Sequence, residues 1–179
     1  MSEKLSISSL ILIFIFLTLS ISSCGGRMIT GQVVDAETGK PMEKAAVYIA
    51  WFKSGSGPIG LAGSVRVEVA DDLTDAKGIF KVPKYSTMFK HYDMAVYKKG
   101  YVCWSSRKIF PTYEERKGFK LKNGMVIEMG HFKEEYSKLK HARFTIHSSI
   151  NRNDPGIFNT AIKSERELRR EIYRRNRRE

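Results

Sequence analysis

Cysteine is nearly absent from this sequence: 179 residues hold two, at positions 24 and 103. A fold stapled by several disulfides is therefore excluded. Histidine is scarce too, and His91, His131, His141 and His147 show neither zinc-ligand spacing nor an H-E-x-x-H pair. None of them accompanies a serine flanked by glycines, so the serine-hydrolase signature is missing as well. The glycine-rich stretch Ser54 to Gly63 has no charge and no following Gly-Lys-Ser/Thr, which excludes a phosphate loop and leaves a surface loop. The apolar run Leu10 to Leu19 is short for a membrane span, which needs about 20 such residues. Acidic side chains are in deficit, 19 against 31 Lys and Arg, for a net charge of +12. No catalytic residue, cofactor or metal ligand set is expected from these patterns.

What is present begins with Lys4 ahead of that apolar run, the length and flank of a secretory segment, although Glu3 offsets the charge. The run ends in Ile21-Ser22-Ser23-Cys24-Gly25. This resembles a bacterial lipobox, with an aliphatic residue three before the cysteine that becomes acylated. The expectation is a signal peptide over 1–23, lipid on Cys24 and a tether over 24–27; the alternative is an uncleaved signal anchor. Gly25 and Gly26 offer no aspartate-type retention signal, so the outer rather than the inner membrane of a cell envelope is expected. Cleavage would leave 156 residues, enough for one domain. The stretch from Cys24 to Gly31 spans at most about 25 Å, which would hold that domain against its membrane. With Cys24 in a thioether, Cys103 has no partner, and its place between Val102 and Trp104 suits a small buried hydrophobe.

The fold signal is strongest in Gly31 to Val47, G-Q-V-V-D-A-E-T-G-K-P-M-E-K-A-A-V. Asp35 can accept from backbone N–H groups just ahead, and Gly39 supplies the positive φ that a reversal needs. The returning strand alternates Ala45, Val47, Ile49 and Trp51 with Ala46, Tyr48, Ala50 and Phe52, apolar on both faces, which places it inside a sandwich. Thr74-Asp75-Ala76-Lys77-Gly78-Ile79-Phe80-Lys81-Val82 and Val96 to Gly100-Tyr101 follow in order. At these spacings the three blocks resemble the carboxypeptidase regulatory-like domain. That resemblance implies a mainly β chain built on a seven-stranded, transthyretin-like Greek-key sandwich over 28–130. It also implies a non-catalytic accessory role, as beside zinc carboxypeptidases and in bacterial surface proteins.

Other segments fit around this frame. Val65, Val67 and Val69 alternate with Arg66 and Glu68 as a strand with one wet face, and Asp71, Asp72 and Asp75 read as a solvated turn rather than a calcium loop. Lys122-Asn123-Gly124-Met125 signals a hairpin in which Leu121 faces Val126. Beyond the sandwich two α-helices are expected. Phe132, Tyr136, Leu139, Ala142 and Ile146 mark an amphipathic helix within 131–150, whose end could also alternate as a strand. A basic helix or tail occupies 151–179, capped by Asp154 and Pro155.

Function follows from location. A secreted lipoprotein meets no nucleic acid routinely, so the basic balance points to anionic lipid, polysaccharide or an acidic partner, with a merely solubilising charge as the competing explanation. The favoured reading is a membrane-anchored interaction module for an envelope protein; the alternative is a carbohydrate or envelope-polymer module. Candidate contacts are Trp51, Trp104 and Tyr101, with Tyr97, for stacking on a sugar. In the tail they are Arg169, Arg170, Arg174, Arg175, Arg177 and Arg178, unless that segment is a frayed terminus. Exposed coplanar rings would favour sugar; buried rings would favour the interaction reading.

Replacing the proposed acylation site, Cys24→Ser, is expected to shift the protein out of the membrane fraction or to leave an uncleaved precursor on a gel. A variant that is processed and fractionates like wild type would contradict the lipid anchor.

Overall fold

A computed structural model describes residues 28–56, 62–85, 91–149 and 156–178. The expected signal peptide, the lipobox with Cys24, the tether and the Asp154-Pro155 cap lie outside the described residues. Strand β1 (Met28–Asp35) is the centre of a three-stranded sheet, antiparallel to β4 (Ile79–Pro83) on one side and parallel to β9 (Met125–Met129) on the other. A four-stranded antiparallel sheet runs β3 (Ala62–Leu73), β2 (Ala46–Ser56), β5 (His91–Tyr97), β6 (Trp104–Ser105). A short hairpin, β7 (Lys108–Ile109) with β8 (Glu114–Glu115), follows. The two larger sheets face each other as a β-sandwich, and the described strands number nine in three sheets rather than the seven expected.

The alternation of β2 decides the layering. Val47, Ile49 and Trp51 point inward and meet Val33, Phe80, Met94, Val96 and Ile127 in one buried cluster between the sheets. Tyr48, Ala50 and Phe52 point the other way and meet Phe110, Phe144, Ile146, Phe158 and Ile162. Helices therefore form a third layer on the outer face of the four-stranded sheet.

Among the described residues that layer holds three helices, not two: α1 (Lys138–Ser148), α2 (Ile157–Ala161) and α3 (Lys163–Asn176). The expected amphipathic helix starts late because His131 is bridged in extended form to Tyr101 and Tyr136 closes a turn on Lys133. The Ser137 side chain then caps α1 by accepting from the Lys140 N–H. Phe132 and Tyr136 still pack on the helical cluster, but from the approach to the helix. Phe144 and Ile146 are helical, not strand. The last helix divides at buried Ile162, which separates α2 from α3. Among the described residues no helix is long and apolar enough to cross a membrane.

The Asn123-Gly124 hairpin does not form. The Asn123 side chain accepts from the Thr30 N–H and hydroxyl at 2.8 and 2.7 Å, and Gly124 (φ +71°) turns the chain into β9 alongside β1. Phe119 and Leu121, expected in the strand opposite, pack against the inter-sheet core from a loop. The first turn is as expected: Asp35 Oδ1 accepts from the N–H groups of Glu37 and Thr38, and Gly39 sits at φ +68°.

Gly39 and Gly78 both hold positive φ, yet their surroundings differ. A Cβ on Gly39 meets nothing within 4 Å, whereas one on Gly78 (φ +71°) would lie 2.5 Å from the Val33 carbonyl oxygen. Gly39→Ala is expected to cost about 1–2 kcal/mol, the left-handed penalty alone. Gly78→Ala should cost distinctly more, because backbone must shift. Urea denaturation of both variants checks the order, and equal losses would contradict this packing.

Candidate anion-binding site

Helix α3 carries an unusual stripe. Arg166, Arg169, Arg170, Tyr173, Arg174 and Arg177 recur at three- and four-residue steps and so share one face. Together with Arg178 they line a cleft of about 600 Å³ whose other wall includes Ile146 of α1. Tyr173 is fixed within it: its hydroxyl accepts from Arg143 Nη2 at 2.5 Å, and the Arg143 and Arg169 guanidinium groups lie 5.2 and 5.7 Å from its ring centroid.

The carboxylates of α3 are engaged elsewhere. Glu167 pairs with Lys163 at 4.0 Å and Glu171 with Arg175 at 3.7 Å, while Glu165 turns toward His141 and Tyr97. Among the described residues no carboxylate pairs with Arg169, Arg170, Arg174, Arg177 or Arg178. Like charges four residues apart cost about 0.2–0.5 kcal/mol each, so an anion entering the cleft relieves repulsion as it gains charge-assisted hydrogen bonds.

Five of the six tail arginines singled out from sequence are brought together here. Arg175 is not, since it lies outside the cleft lining and pairs with Glu171. Arg166, part of the same basic segment but not among the contacts expected from sequence, also lines the cleft, and it donates to the Asn159 side chain. Its helical spacing from Arg169 and Arg170 was the available signal.

The aromatic candidates present no stacking platform. Trp51 and Trp104 are 4% and 9% exposed and belong to the inter-sheet core, with Trp51 edge-on to Tyr85 and Trp104 edge-on to Phe119. Tyr97 is buried and donates to Glu165 Oε1 at 3.1 Å. Tyr101 is half-buried and donates to Asp35 Oδ2 at 2.9 Å, the oxygen that His131 Nε2 also approaches at 2.9 Å. Asp71, Asp72 and Asp75 are dispersed in the same sense, each accepting from its own backbone N–H donors: Phe158 for Asp71, Leu73 and Lys81 for Asp72, Lys77 and Ile79 for Asp75.

Cys103, His141 and Glu165 converge beneath α1 and α3, a set of residue types that can make a nucleophile. Here the geometry opposes it. His141 Nε2 accepts from the Cys103 backbone N–H at 3.0 Å, so its lone pair is unavailable to the thiol. Burial pushes the Cys103 thiol up to about 12 and the His141 imidazole down to about 4. The trio ties the helices to the sheet, and the thiol is inert.

No protein-family model and no curated protein matches this sequence. Among solved structures, a double mutant of the shaft pilin SpaA from Lactobacillus rhamnosus GG is 17% identical over 61% of this chain and 48% of that one, with a TM-score of 0.37. The chain thus spans about half the length of that pilin. The 3-chlorocatechol 1,2-dioxygenase from Rhodococcus opacus 1CP is 14% identical over 62% of each chain, with a TM-score of 0.36. A streptococcal ancillary pilin is 14% identical over 60% of this chain and 30% of that one, with a TM-score of 0.29. At these values the β-sandwich rests on the strand pairing itself.

The lowered His141 pKa fixes a pH dependence. Between the ordinary value of 6.5 and about 4 the unfolded chain binds a proton that the folded chain refuses, so this group's contribution falls as pH falls through that window. Glu165, raised by desolvation, works in the opposite sense, and a His141→Gln comparison isolates the imidazole. The stability advantage of wild type over His141→Gln should shrink by up to about 3 kcal/mol from pH 6.5 to 4, read by denaturant melts. A difference independent of pH would contradict the buried neutral imidazole.

Proposed function

We propose that this chain is a membrane-anchored, non-catalytic module of the cell envelope that docks an acidic protein partner in the arginine cleft. The observation that carries the reading is the set of five guanidinium groups facing one cleft without a carboxylate partner among the described residues. Arginine suits such docking, because its planar fork makes bidentate bonds to carboxylates. The proposed anchor rests on the lipobox-like Ile21 to Cys24, and Gly25 and Gly26, which lack an aspartate-type retention signal, favour the outer membrane. The sandwich is proposed to be of the carboxypeptidase regulatory-like, transthyretin-like kind, whose Asp35–Gly39 and Asp75–Gly78 motifs are turns closed on the aspartate carboxylates. Burial of Trp51 and Trp104 favours this reading over sugar stacking.

The test compares full-length wild type with an Arg170→Glu/Arg174→Glu/Arg177→Glu variant as baits in detergent-solubilised envelope, at low and high salt. All three side chains are exposed, so the fold should survive the changes. An acidic protein retained by wild type, released by salt and missing from the variant is the expected result. The same retained proteins with both baits would overturn the assignment. Loss of binding to anionic vesicles in place of a protein would reassign the cleft to headgroup phosphates.

A further inference from the structure

A second cavity, of about 410 Å³, shares no lining residue with the arginine cleft. It lies where the four-stranded sheet, the β7–β8 hairpin and α1 meet. At its base Asp93 of β5 has a side chain only 9% exposed. Arg107 Nη1 donates to its Oδ2 at 3.2 Å, and among the described residues nothing donates to Oδ1. Burial pushes this carboxyl's pKa up, against the lowering influence of Arg107, and Oδ1 keeps its full accepting capacity for a ligand.

The walls supply complementary chemistry. Lys108 is exposed at the rim and has no carboxylate partner among the described residues, and the Ser105 and His147 side chains add further polar atoms. Tyr113 closes one side. Its backbone sits at φ +62°, a region L side chains rarely adopt, and its hydroxyl donates to the Lys140 carbonyl at 3.1 Å. The hydroxyl is thus engaged by the protein, and what Tyr113 offers the cavity is an aromatic ring held in place against Phe110 and Phe144.

Buried acceptor, forked donor and ring wall side by side suit a molecule whose own groups both donate and accept and which has an apolar face. Inorganic phosphate would face the Asp93 carboxylate, and a simple amine would face Arg107 and Lys108. A neutral sugar would gain nothing from the exposed Lys108 ammonium, whereas a sugar carboxylate would. We propose that this cavity binds a sugar unit bearing a carboxylate, of the uronic acid type: Asp93 accepts from its hydroxyls, Arg107 and Lys108 hold its carboxylate, and Tyr113 covers its ring face. The volume is in the range of small-ligand sites. The inference is independent of the arginine cleft and stands or falls without it.

Calorimetric titration of the full-length protein in detergent with glucuronate, glucose and inorganic phosphate tests it. Glucuronate should bind at least about tenfold more tightly than glucose, and phosphate should not displace it. The exposed change Lys108→Glu should weaken glucuronate at least about tenfold while leaving glucose unchanged, and Asp93→Asn should weaken both. No glucuronate binding, displacement by phosphate, or glucuronate affinity unaltered by Lys108→Glu would overturn the proposal. Because Lys108 is exposed, its variant keeps the test valid even if Asp93→Asn unfolds the protein.

Discussion

From Ala46 to Phe52 strand β2 has no face that tolerates water, and both of its neighbouring layers follow from that. Val47 and Ile49 on one side, and Ala50 on the other, are fully buried. A sandwich of two sheets covers only the first side, and leaving Tyr48 and Phe52 wet would forfeit roughly 1.5–3 kcal/mol for each large side chain. The helices supply the missing cover through Phe144, Ile146, Phe158 and Ile162. Since Ile162 immediately precedes α3, the arginine helix starts from a point pinned to the sheet. The cleft is a consequence of covering β2.

Apolar cover alone does not fix where helices sit, and two polar ties supply that. Cys103 N–H to His141 and Tyr97 hydroxyl to Glu165 link the sheet to α1 and to α3 respectively. Asp35, Tyr101 and His131 hold the chain that leaves β9 beside the first turn. The Asp35 carboxyl is held well below the usual range, chiefly by the Thr38 backbone N–H, against the opposing effect of its burial and with help from the Tyr101 hydroxyl. The contribution of this carboxylate is lost in acid, as pH falls below the ordinary carboxylate value of 3.8.

Local chemistry was legible in the sequence and long-range choices were not. Asp35 with Gly39, Asp75 with Gly78, and the two-sided apolarity of β2 each announce their structure within a dozen residues. Asn123-Gly124 announces a hairpin equally well, but the Asn123 side chain satisfies Thr30, 93 residues away, and β9 finds a parallel partner in β1. Phe132 and Tyr136 continue a helical rhythm outside any helix, because apolar spacing reports which side chains are buried and not how the backbone delivers them. The tail arginines were visible as charge, yet the separation of Arg175 from the others depends on helical phase and on Glu171. The Asp93 cavity left no sequence signal, since its walls come from four segments that only the tertiary fold assembles.

The central claim is that α3 is fixed on the sandwich by the second apolar layer, so that its arginines form a ready-made cleft. Amide hydrogen exchange on the full-length protein tests this directly. The account predicts that amides of residues 166–172 are protected to a degree comparable with α1, and that Ile162→Ala removes this protection while β1 and β2 stay protected. Amides in α3 that exchange at unprotected rates in the wild-type protein, as in a frayed terminus, would contradict it.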